Sequence, residues 1–286
     1  MLQVVFQGIV TGLLYGIAGL GLVFIYRATG VVNFAHGNML TLSLFGMATV
    51  IALHGSFLLA LVVAVGIAAL LGAATNATLG LITERDELNL VVATLAIGLM
   101  MRGLVTVTWG SQTRNIALPL PGGGGHLGPV FVEWSQLITL ILGVVIAASA
   151  FLLINKTRIG LGMRAVFESE PHARLLGIPV RRLRVYAWVL GSIYATLAAV
   201  LVVPQTYLSE NSLVTFALVS FAAITIGGLG NMFGTLVGGV LMGVAVNLTA
   251  LWFSSSLANT ATLLLVVAVL YLRPQGLLSA RRISKV

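Results

Sequence analysis

KTRIGLGMRAVFESEPHARLLGIPVRRLR, residues 156–184, is the stretch on which the organisation of this chain depends. It separates long apolar segments and holds seven of the fifteen lysines and arginines, opposed only by Glu168 and Glu170. We call it the basic segment. Basic residues beside apolar spans are retained on the cytoplasmic side of a membrane. The basic segment therefore predicts a cytoplasmic loop and orients the spans on either side of it.

The composition indicates an integral membrane protein. Of the 286 residues, 59% are hydrophobic and 8% are charged, whereas soluble domains carry about 25% charged residues. So few charges could not cover the surface of a water-soluble fold. The net charge of +8 is explained by loop retention, so no nucleic-acid partner is expected. The absence of cysteine excludes disulfides, thiolate metal sites and cysteine nucleophiles.

The apolar segments predict an all-α polytopic membrane protein with 8–9 transmembrane helices in a single membrane domain, residues 1–286. The first segment lacks the basic start of a secretory signal, so we expect it to be a retained span. Its Gly8, Gly12 and Gly16 have the spacing that lets another helix approach closely. The predicted spans are 4–26, 39–53, 56–82, 88–109, 134–154, 185–203, 213–226, 232–253 and 257–272.

The two basic regions decide the orientation. The basic segment and the tail Arg273–Val286 should both be cytoplasmic, so the chain must cross an even number of times between them. The short stretch Leu213–Asn231 must then cross as well. Counting backward, the N-terminus and the long loop Ser111–Glu133 are predicted to lie outside.

Two spans, Met39–Leu53 and Leu213–Ile226, are too short for a relaxed crossing. Each is the second span of its half and each adjoins a stretch rich in glycine and asparagine. Short, glycine-interrupted spans at corresponding positions of inverted repeats indicate a transport pathway. The alternative for the first of these stretches is an interfacial loop satisfied by water. The predicted pathway residues are Asn33, His36, Gly37 and Asn38, and Gly227, Gly228, Gly230 and Asn231.

If residues 33–37 were helical, Asn33, His36 and Gly37 would share one face. The run Gly227–Asn231 predicts a break in a helix, with unwound backbone lining a cavity; close helix packing is the alternative. It lacks the lysine of a phosphate-binding loop, and no such loop occurs elsewhere in the chain. The chain is therefore not expected to hydrolyse nucleotide itself.

Other chemistry finds little support. No acidic residue lies within a predicted span, which disfavours proton- or ion-coupled transport. The four histidines have no ligand spacing, and no motif joins a nucleophile to a base, so neither a metal site nor an enzyme is predicted. Arg102 either extends its charge to the outer interface or binds a carboxylate.

Within the basic segment, Pro171 suits the start of a short helix and Gly177 suits its end. This helix could lie on anionic lipid or dock into a cytoplasmic partner. The residues alone leave both alternatives open.

Taken together, five motifs resemble the LivH-type permease of bacterial branched-chain amino acid ABC transporters. They follow the family's order and cover essentially the whole chain. The stretch Phe167–Glu170 departs from the family, which more often has Asn, Asp or Gln before the proline. The motifs are Arg27-Ala-Thr-Gly-Val-Val-Asn-Phe-Ala-His-Gly37, Thr157-Arg-Ile-Gly-Leu-Gly-Met-Arg-Ala165, Ala173-Arg-Leu-Leu-Gly-Ile178, Gly227-Gly-Leu-Gly-Asn-Met-Phe-Gly234 and Arg273-Pro-Gln-Gly-Leu277.

The resemblance implies a permease subunit of an ABC importer in the bacterial inner membrane, multi-pass, with its C-terminus in the cytoplasm. It implies a second, similar permease, favouring a heterodimer, two cytoplasmic ATPase subunits that carry the ATP and magnesium, and a periplasmic or extracellular solute-binding protein. This chain itself would bind no cofactor. The coupling helix carried over is Glu168 with Glu170, Pro171, His172, Ala173, Arg174, Leu175, Leu176, Gly177 and Ile178.

The expected activity is uptake of branched-chain or related amino acids by alternating access. Other members of the family import urea, amides or aromatic acids, so these solutes remain alternatives. An ion-coupled secondary transporter, a passive channel and a purely structural subunit are the rivals from other classes.

Overall fold

The computed structural model describes residues 1–82, 86–128 and 130–252, together with positions 260, 264, 267 and 271. Within those residues the chain forms ten α-helices, one β-hairpin and a short 3-10 turn at Val203–Gln205. The helices are α1 Leu2–Thr29, α2 His36–Ala52, α3 Phe57–Gly80, α4 Glu87–Trp109, α5 Trp134–Lys156, α6 Arg158–Glu168, α7 Glu170–Leu175, α8 Val180–Val202, α9 Ser212–Gly227 and α10 Met232–Trp252.

Six helices, α1, α3, α4, α5, α8 and α10, are long and apolar enough to cross a membrane. The predicted short spans are α2 and α9, with 17 and 16 residues. A helix of 16 residues is about 24 Å long, which is less than the roughly 30 Å hydrocarbon core. The all-α polytopic prediction is confirmed. The ninth predicted span, 257–272, falls almost wholly outside the described residues.

Helix α1 lies at the centre of the protein and packs against α5, α8, α9 and α10. Of its most apolar window, 78% is buried, whereas the figure is 22% for α3 and α4, which therefore face the bilayer. A Cβ on Gly8 or Gly12 would lie 2.7 Å from the backbone of α10. The glycine spacing in α1 thus serves close helix packing, as predicted.

The loop 111–133 contains a hairpin that the sequence did not indicate. Strand β1, Gly124–Leu127, pairs antiparallel with β2, Val130–Glu133. Glycine is depleted in strands, so the Gly-rich half gave no strand signal. Its pairing is set by the Val-Phe-Val of β2 instead.

Three parts of the chain meet at one end of the helix bundle. The side chain of Gln3 both donates to and accepts from the backbone of Phe131, at 2.8 and 2.9 Å. Arg114 and Leu208 exchange two backbone hydrogen bonds of 2.9 Å. The N-terminus, the loop 111–133 and the loop 204–211 therefore share one end, which agrees with the predicted topology.

Candidate functional site

The stretch between α1 and α2 is irregular and largely buried chain, with a turn at Phe34 and Ala35. Helix α2 begins at His36, not earlier, so the shared helical face imagined for Asn33 does not form. His36 lies 3.3 Å, through Nε2, from the carbonyl oxygen of Ala18, near the middle of α1. Residues 31–35 are therefore non-helical backbone at membrane depth, which is tolerated only where protein buries it or a cavity adjoins it.

Asn33 stabilises this irregular stretch. Its Oδ1 accepts a hydrogen bond of 3.0 Å from the backbone N–H of Ala35, and its side chain is only 2% exposed. A short polar side chain that bonds the backbone two residues on is a usual way to begin a helix after a turn. Asn33 thus sets the point at which α2 starts.

A small cleft lies between the start of α2 and helix α9. Asn33, His36 and Gly37 line it from one side. A Cβ on Gly37 would lie 2.7 Å from the Cα of Val214, so α2 and α9 approach closely here. The opposite wall is a stripe of α9 at helical spacing, Val214, Ala217, Leu218 and Phe221.

The cleft is small. Its volume is about 40 Å³, whereas pockets for small ligands usually measure about 300 Å³ or more. Within the described part of the chain, Nδ1 of His36 is buried without a hydrogen-bond partner. Asn38 turns away from the cleft, because its Nδ2 lies against Gly98 of α4.

The predicted break after α9 is present. Gly228 and Gly230 have φ angles of 99° and 87°, which side chains with a Cβ rarely adopt. Asn231 then begins α10 by accepting a hydrogen bond of 3.0 Å from the N–H of Gly234. Gly227 packs directly on the backbone of Gly234. Close packing and a helix break, given as alternatives above, therefore both occur.

This turn does not line the cleft; it contacts the basic segment instead. The ring of Phe167, in α6, occupies the space beside Gly230, where a Cβ would lie 2.8 Å from Phe167 Cζ. Arg27 Nε donates a hydrogen bond of 2.6 Å to the carbonyl oxygen of Gly230. The Arg27 guanidinium also lies 5.4 Å from the Phe167 ring centroid.

We call Arg27, Phe167 and Gly230 the three-residue contact. It joins the end of α1, the end of α6 and the turn between α9 and α10. Sequence reasoning placed Arg27 in a family motif and Phe167 in a stretch that departs from the family, and gave neither residue a packing role. No local pattern signals the contact, since Arg27 and Gly230 are 203 residues apart.

The basic segment folds into two capped helices. The Thr157 hydroxyl accepts a hydrogen bond of 3.1 Å from the N–H of Gly160 at the start of α6. Pro171 lies in the first turn of α7, and Gly177, with φ 73°, follows its end. The short helix predicted from Pro171 and Gly177 is confirmed, whereas α6 was not predicted as a helix.

Helix α7 does not present a single apolar face. Ala173 is 2% exposed and packs inward, but Leu175 and Leu176 are 84% and 78% exposed. Among the described residues, these two adjacent leucines have no packing role. They form an apolar tip at the end of the basic segment.

Glu170 ties α7 to α8. Its carboxylate forms ion pairs with Arg174 and with Arg184 of α8. Burial raises the pKa of Glu170, but the hydrogen bonds and charges of Arg184 and then Arg174 outweigh it and lower that pKa below its usual value. Glu170, which is unusual for the family at this position, therefore links the two helices through ion pairs.

At the other end of the bundle, Arg102 pairs with a carboxylate of the chain itself. Its Nη2 lies 3.3 Å from Glu210 Oε1, and the Thr106 hydroxyl donates a hydrogen bond of 2.8 Å to Glu210 Oε2. The Thr106 hydroxyl and then Arg102 lower the pKa of Glu210. The ion pair joins α4 to the loop before α9.

Comparison with known proteins agrees with this architecture. A family model described as "Branched-chain amino acid transport system / permease component" matches residues 4–272. The chain is 27% identical over 306 residues to the high-affinity branched-chain amino acid transport system permease protein LivH of Salmonella typhimurium, covering 100% of this chain and 97% of the relative. It is 25% identical over 300 residues to BraD of Pseudomonas aeruginosa, covering 100% and 98%.

More distant likenesses extend the comparison. The ribose import permease protein RbsC of Escherichia coli is 29% identical over 245 residues, covering 81% of this chain and 73% of the relative. The solved structure of PsaBC from Streptococcus pneumoniae in complex with Fab matches with a TM-score of 0.55 at 12% identity, covering 94% of this chain and 91% of that one, which shows a shared fold. The family match spans nearly the whole sequence, and the chain accordingly belongs to the family of permease components of branched-chain amino acid transport systems.

Proposed function

We propose that this chain is the transmembrane permease subunit of an ABC importer that takes up branched-chain or related amino acids. Family membership supports a transport role, and relatives of full length carry high-affinity branched-chain amino acid transport in their names. The single observation that carries the mechanism is the three-residue contact, which links the basic segment to the turn after α9.

The basic segment is the part of this chain on which ATPase subunits would act. Leu175 and Leu176 form an exposed apolar tip, and burying two leucines in a partner groove contributes about 1.5–3 kcal/mol each. The ion pairs of Glu170 connect α7 to α8, so a displacement of the apolar tip would also move α8. ATP and magnesium would reside on the ATPases, not on this chain.

A movement of α6 would reach the cleft through α9. Phe167 at the end of α6 packs on Gly230, at the C-terminal end of α9. Helix α9 is also the wall of the cleft opposite Asn33 and His36. A shift of the turn would therefore move α9 relative to α2 and widen a cleft that is now small. Such rocking of packed helices is the motion that alternating access requires.

The lining of the cleft suits a solute with an apolar side chain. Most of its lining residues are apolar, and Asn33 and His36 supply a small number of polar groups. Sites for small molecules generally combine an apolar lining with a few polar groups that fix orientation. A branched-chain amino acid fits this description better than a strongly polar solute.

The proposed assembly contains a second, similar permease, two cytoplasmic ATPases and an external solute-binding protein. Gln3, at the start of α1, contacts Phe131, whereas Arg27, at its end, contacts Phe167 of the basic segment, which supports opposite ends of the bundle for the two regions. With the rule that basic loops stay inside, we propose an external N-terminus and a cytoplasmic C-terminus.

The test is uptake by the complete complex in proteoliposomes. The permease is co-expressed with candidate ATPase, permease and binding-protein subunits of this transporter family, and labelled leucine uptake is measured with ATP inside the vesicles. We expect uptake that requires both ATP and the binding protein, with competition by isoleucine and valine. Uptake driven by a proton or sodium gradient without ATPases would establish a secondary transporter instead. Competition by urea, an amide or an aromatic acid, but not by isoleucine, would assign another solute.

A further inference from the structure

A second, larger space lies away from the cleft. It is a groove of about 980 Å³ between the end of α3, the start of α8 and the segment after α1. Its volume is at the upper end of the range found for ligand sites, about 300–1,000 Å³. The transport mechanism above makes no use of it.

The groove is basic at one end. Arg174, Arg181 and Arg184 line it there, with Asn76 of α3 nearby. The carboxylate that contacts these arginines in the described part of the chain is that of Glu170, which pairs with two of them. The described residues that line the groove include three arginines and no acidic residue. An anion is the ligand that this balance favours.

Two of the basic groups retain hydrogen-bonding capacity. Within the described residues Arg181 makes no ion pair, and Arg184 Nε is buried without a hydrogen-bond partner. Arg184 Nε itself is covered, but the Arg184 side chain is 23% exposed and Arg181 is exposed, so an acceptor in the groove would meet accessible parts of both side chains. Arginine presents several N–H groups in a planar fork that matches the oxygens of a phosphate.

The other end of the groove is apolar and extends along the membrane helices. Ala73 and Ala77 of α3 and Val185 and Trp188 of α8 line it. Trp188 follows Arg181 by seven residues, so the groove continues for roughly 10 Å below the arginine. Leu81, which lines the groove just after α3, is 82% exposed, so the groove is open to the surroundings of the bundle at this point.

We propose that this groove binds an anionic phospholipid, with the phosphate at Arg181 and Arg184 and an acyl chain along α3 and α8. A free phosphate would use the basic end but leave the apolar end without a ligand. A soluble partner would reach the arginines but not the part of the groove within the membrane. Basic pockets between transmembrane helices at the membrane surface are suited to lipid headgroups. The bound lipid would stabilise the arrangement of α7 and α8 that the Glu170 ion pairs also stabilise.

The test uses Trp188 as a reporter at the apolar end of the groove. A variant in which Trp109, Trp134 and Trp252 are changed to phenylalanine leaves Trp188 as the only tryptophan. It is reconstituted into phosphatidylcholine vesicles that contain increasing fractions of dibrominated phosphatidylglycerol or dibrominated phosphatidylcholine. We expect half-maximal quenching at a severalfold lower mole fraction of the brominated phosphatidylglycerol.

The chain offers a matched pair of variants for this test. Arg181→Gln removes a charge from the lining of the groove, and Arg182→Gln removes the neighbouring exposed charge, which does not line it. We expect Arg181→Gln to reduce the preference for phosphatidylglycerol about fivefold, the effect of one arginine near an anionic surface. Arg182→Gln should leave it unchanged.

Three results would overturn the proposal. The two brominated lipids could quench Trp188 equally, the two arginine variants could lose the preference for phosphatidylglycerol equally, or millimolar inorganic phosphate could displace the bound phosphatidylglycerol. If the triple tryptophan variant does not fold, the lipids retained by the otherwise unaltered protein are counted by native mass spectrometry. Retained phosphatidylglycerol that is lost from Arg181→Gln but kept by Arg182→Gln supports the site. Equal retention by both variants contradicts it.

Discussion

Replacing Arg27 by glutamine should separate ATP hydrolysis from transport. The substitution removes the hydrogen bond from Arg27 Nε to the Gly230 carbonyl and the guanidinium beside the Phe167 ring. Both interactions hold the end of α6 to the turn between α9 and α10. Under the proposed mechanism this contact transmits the movement of the basic segment to the cleft.

The magnitude follows from the two interactions. A hydrogen bond to a charged group contributes about 1.5–3 kcal/mol, and a cation–π contact contributes about 0.5–2 kcal/mol. Arg27 is half-buried, so water replaces part of what is lost, and we take about 2 kcal/mol as the net effect. Because 1.4 kcal/mol corresponds to a factor of ten, the leucine transported per ATP hydrolysed should fall about 30-fold.

The assay measures ATP hydrolysis and leucine uptake in the same proteoliposomes. Arg158→Gln is the control, because it removes an exposed charge from the start of α6, at the opposite end of this helix from Phe167. Arg27→Lys keeps the charge and one donor and should restore part of the coupling. Combining Arg27→Gln with Phe167→Leu should add less than the sum of the single effects, since the two residues act as a unit.

The reasoning is refuted if the ratio of uptake to hydrolysis is unchanged in Arg27→Gln while the complex remains assembled. It is also refuted if Arg158→Gln lowers the ratio equally. That result would assign the effect to the charge of the segment rather than to the contact. Co-purification of the ATPase establishes assembly in every variant.

Three further predictions concern other parts of the chain. Leu175→Asp should abolish co-purification of the ATPase, whereas Leu161→Asp, at an exposed position of α6, should not; retention in both would contradict the docking role. Gly12→Ala should lower the melting temperature in detergent, since its Cβ would lie 2.7 Å from α10, whereas Gly66→Ala has open space and should not. Because the pKa of Glu170 is lowered, its ion pairs stabilise the basic segment at pH values above the usual glutamate pKa. This stabilisation is lost as the pH falls through the lowered pKa. Hydrogen exchange in α7 should therefore differ between wild type and Glu170→Gln at pH 7 and converge in acid; a constant difference would count against the pairing.

Much of the helical architecture was predictable from the sequence. Helix α4, for example, was predicted as 88–109 and forms Glu87–Trp109. Within a bilayer each helix must satisfy its own backbone hydrogen bonds, so its extent depends on the apolar residues it contains. The exceptions are informative. Helix α8 begins at Val180, five residues before the predicted span, because its first turn carries arginines outside the apolar region.

The candidate site was predicted only in part. The sequence indicated the two irregular stretches beside α2 and α9, because polar and glycine residues interrupt apolar spans there. The sequence did not indicate that the two stretches contact different parts of the protein. Asn33 and His36 line the cleft, whereas Gly230 meets Phe167 and Arg27. The proposed role of both stretches in the substrate pathway therefore divides into a lining part and a coupling part.

Some properties of the basic segment follow from the sequence, and others follow only from the tertiary structure. Its charges and its position between apolar spans were enough to predict a cytoplasmic loop with a short helix, because span length and charge retention are local properties. Its partners within the chain were decided by the tertiary structure alone. Arg27 and Gly230 are 203 residues apart, and Glu170 reaches Arg184 across the bend between α7 and α8. Helix packing in a bilayer relies on small residues that fit many neighbours, so only the assembled bundle determines which residues touch the basic segment.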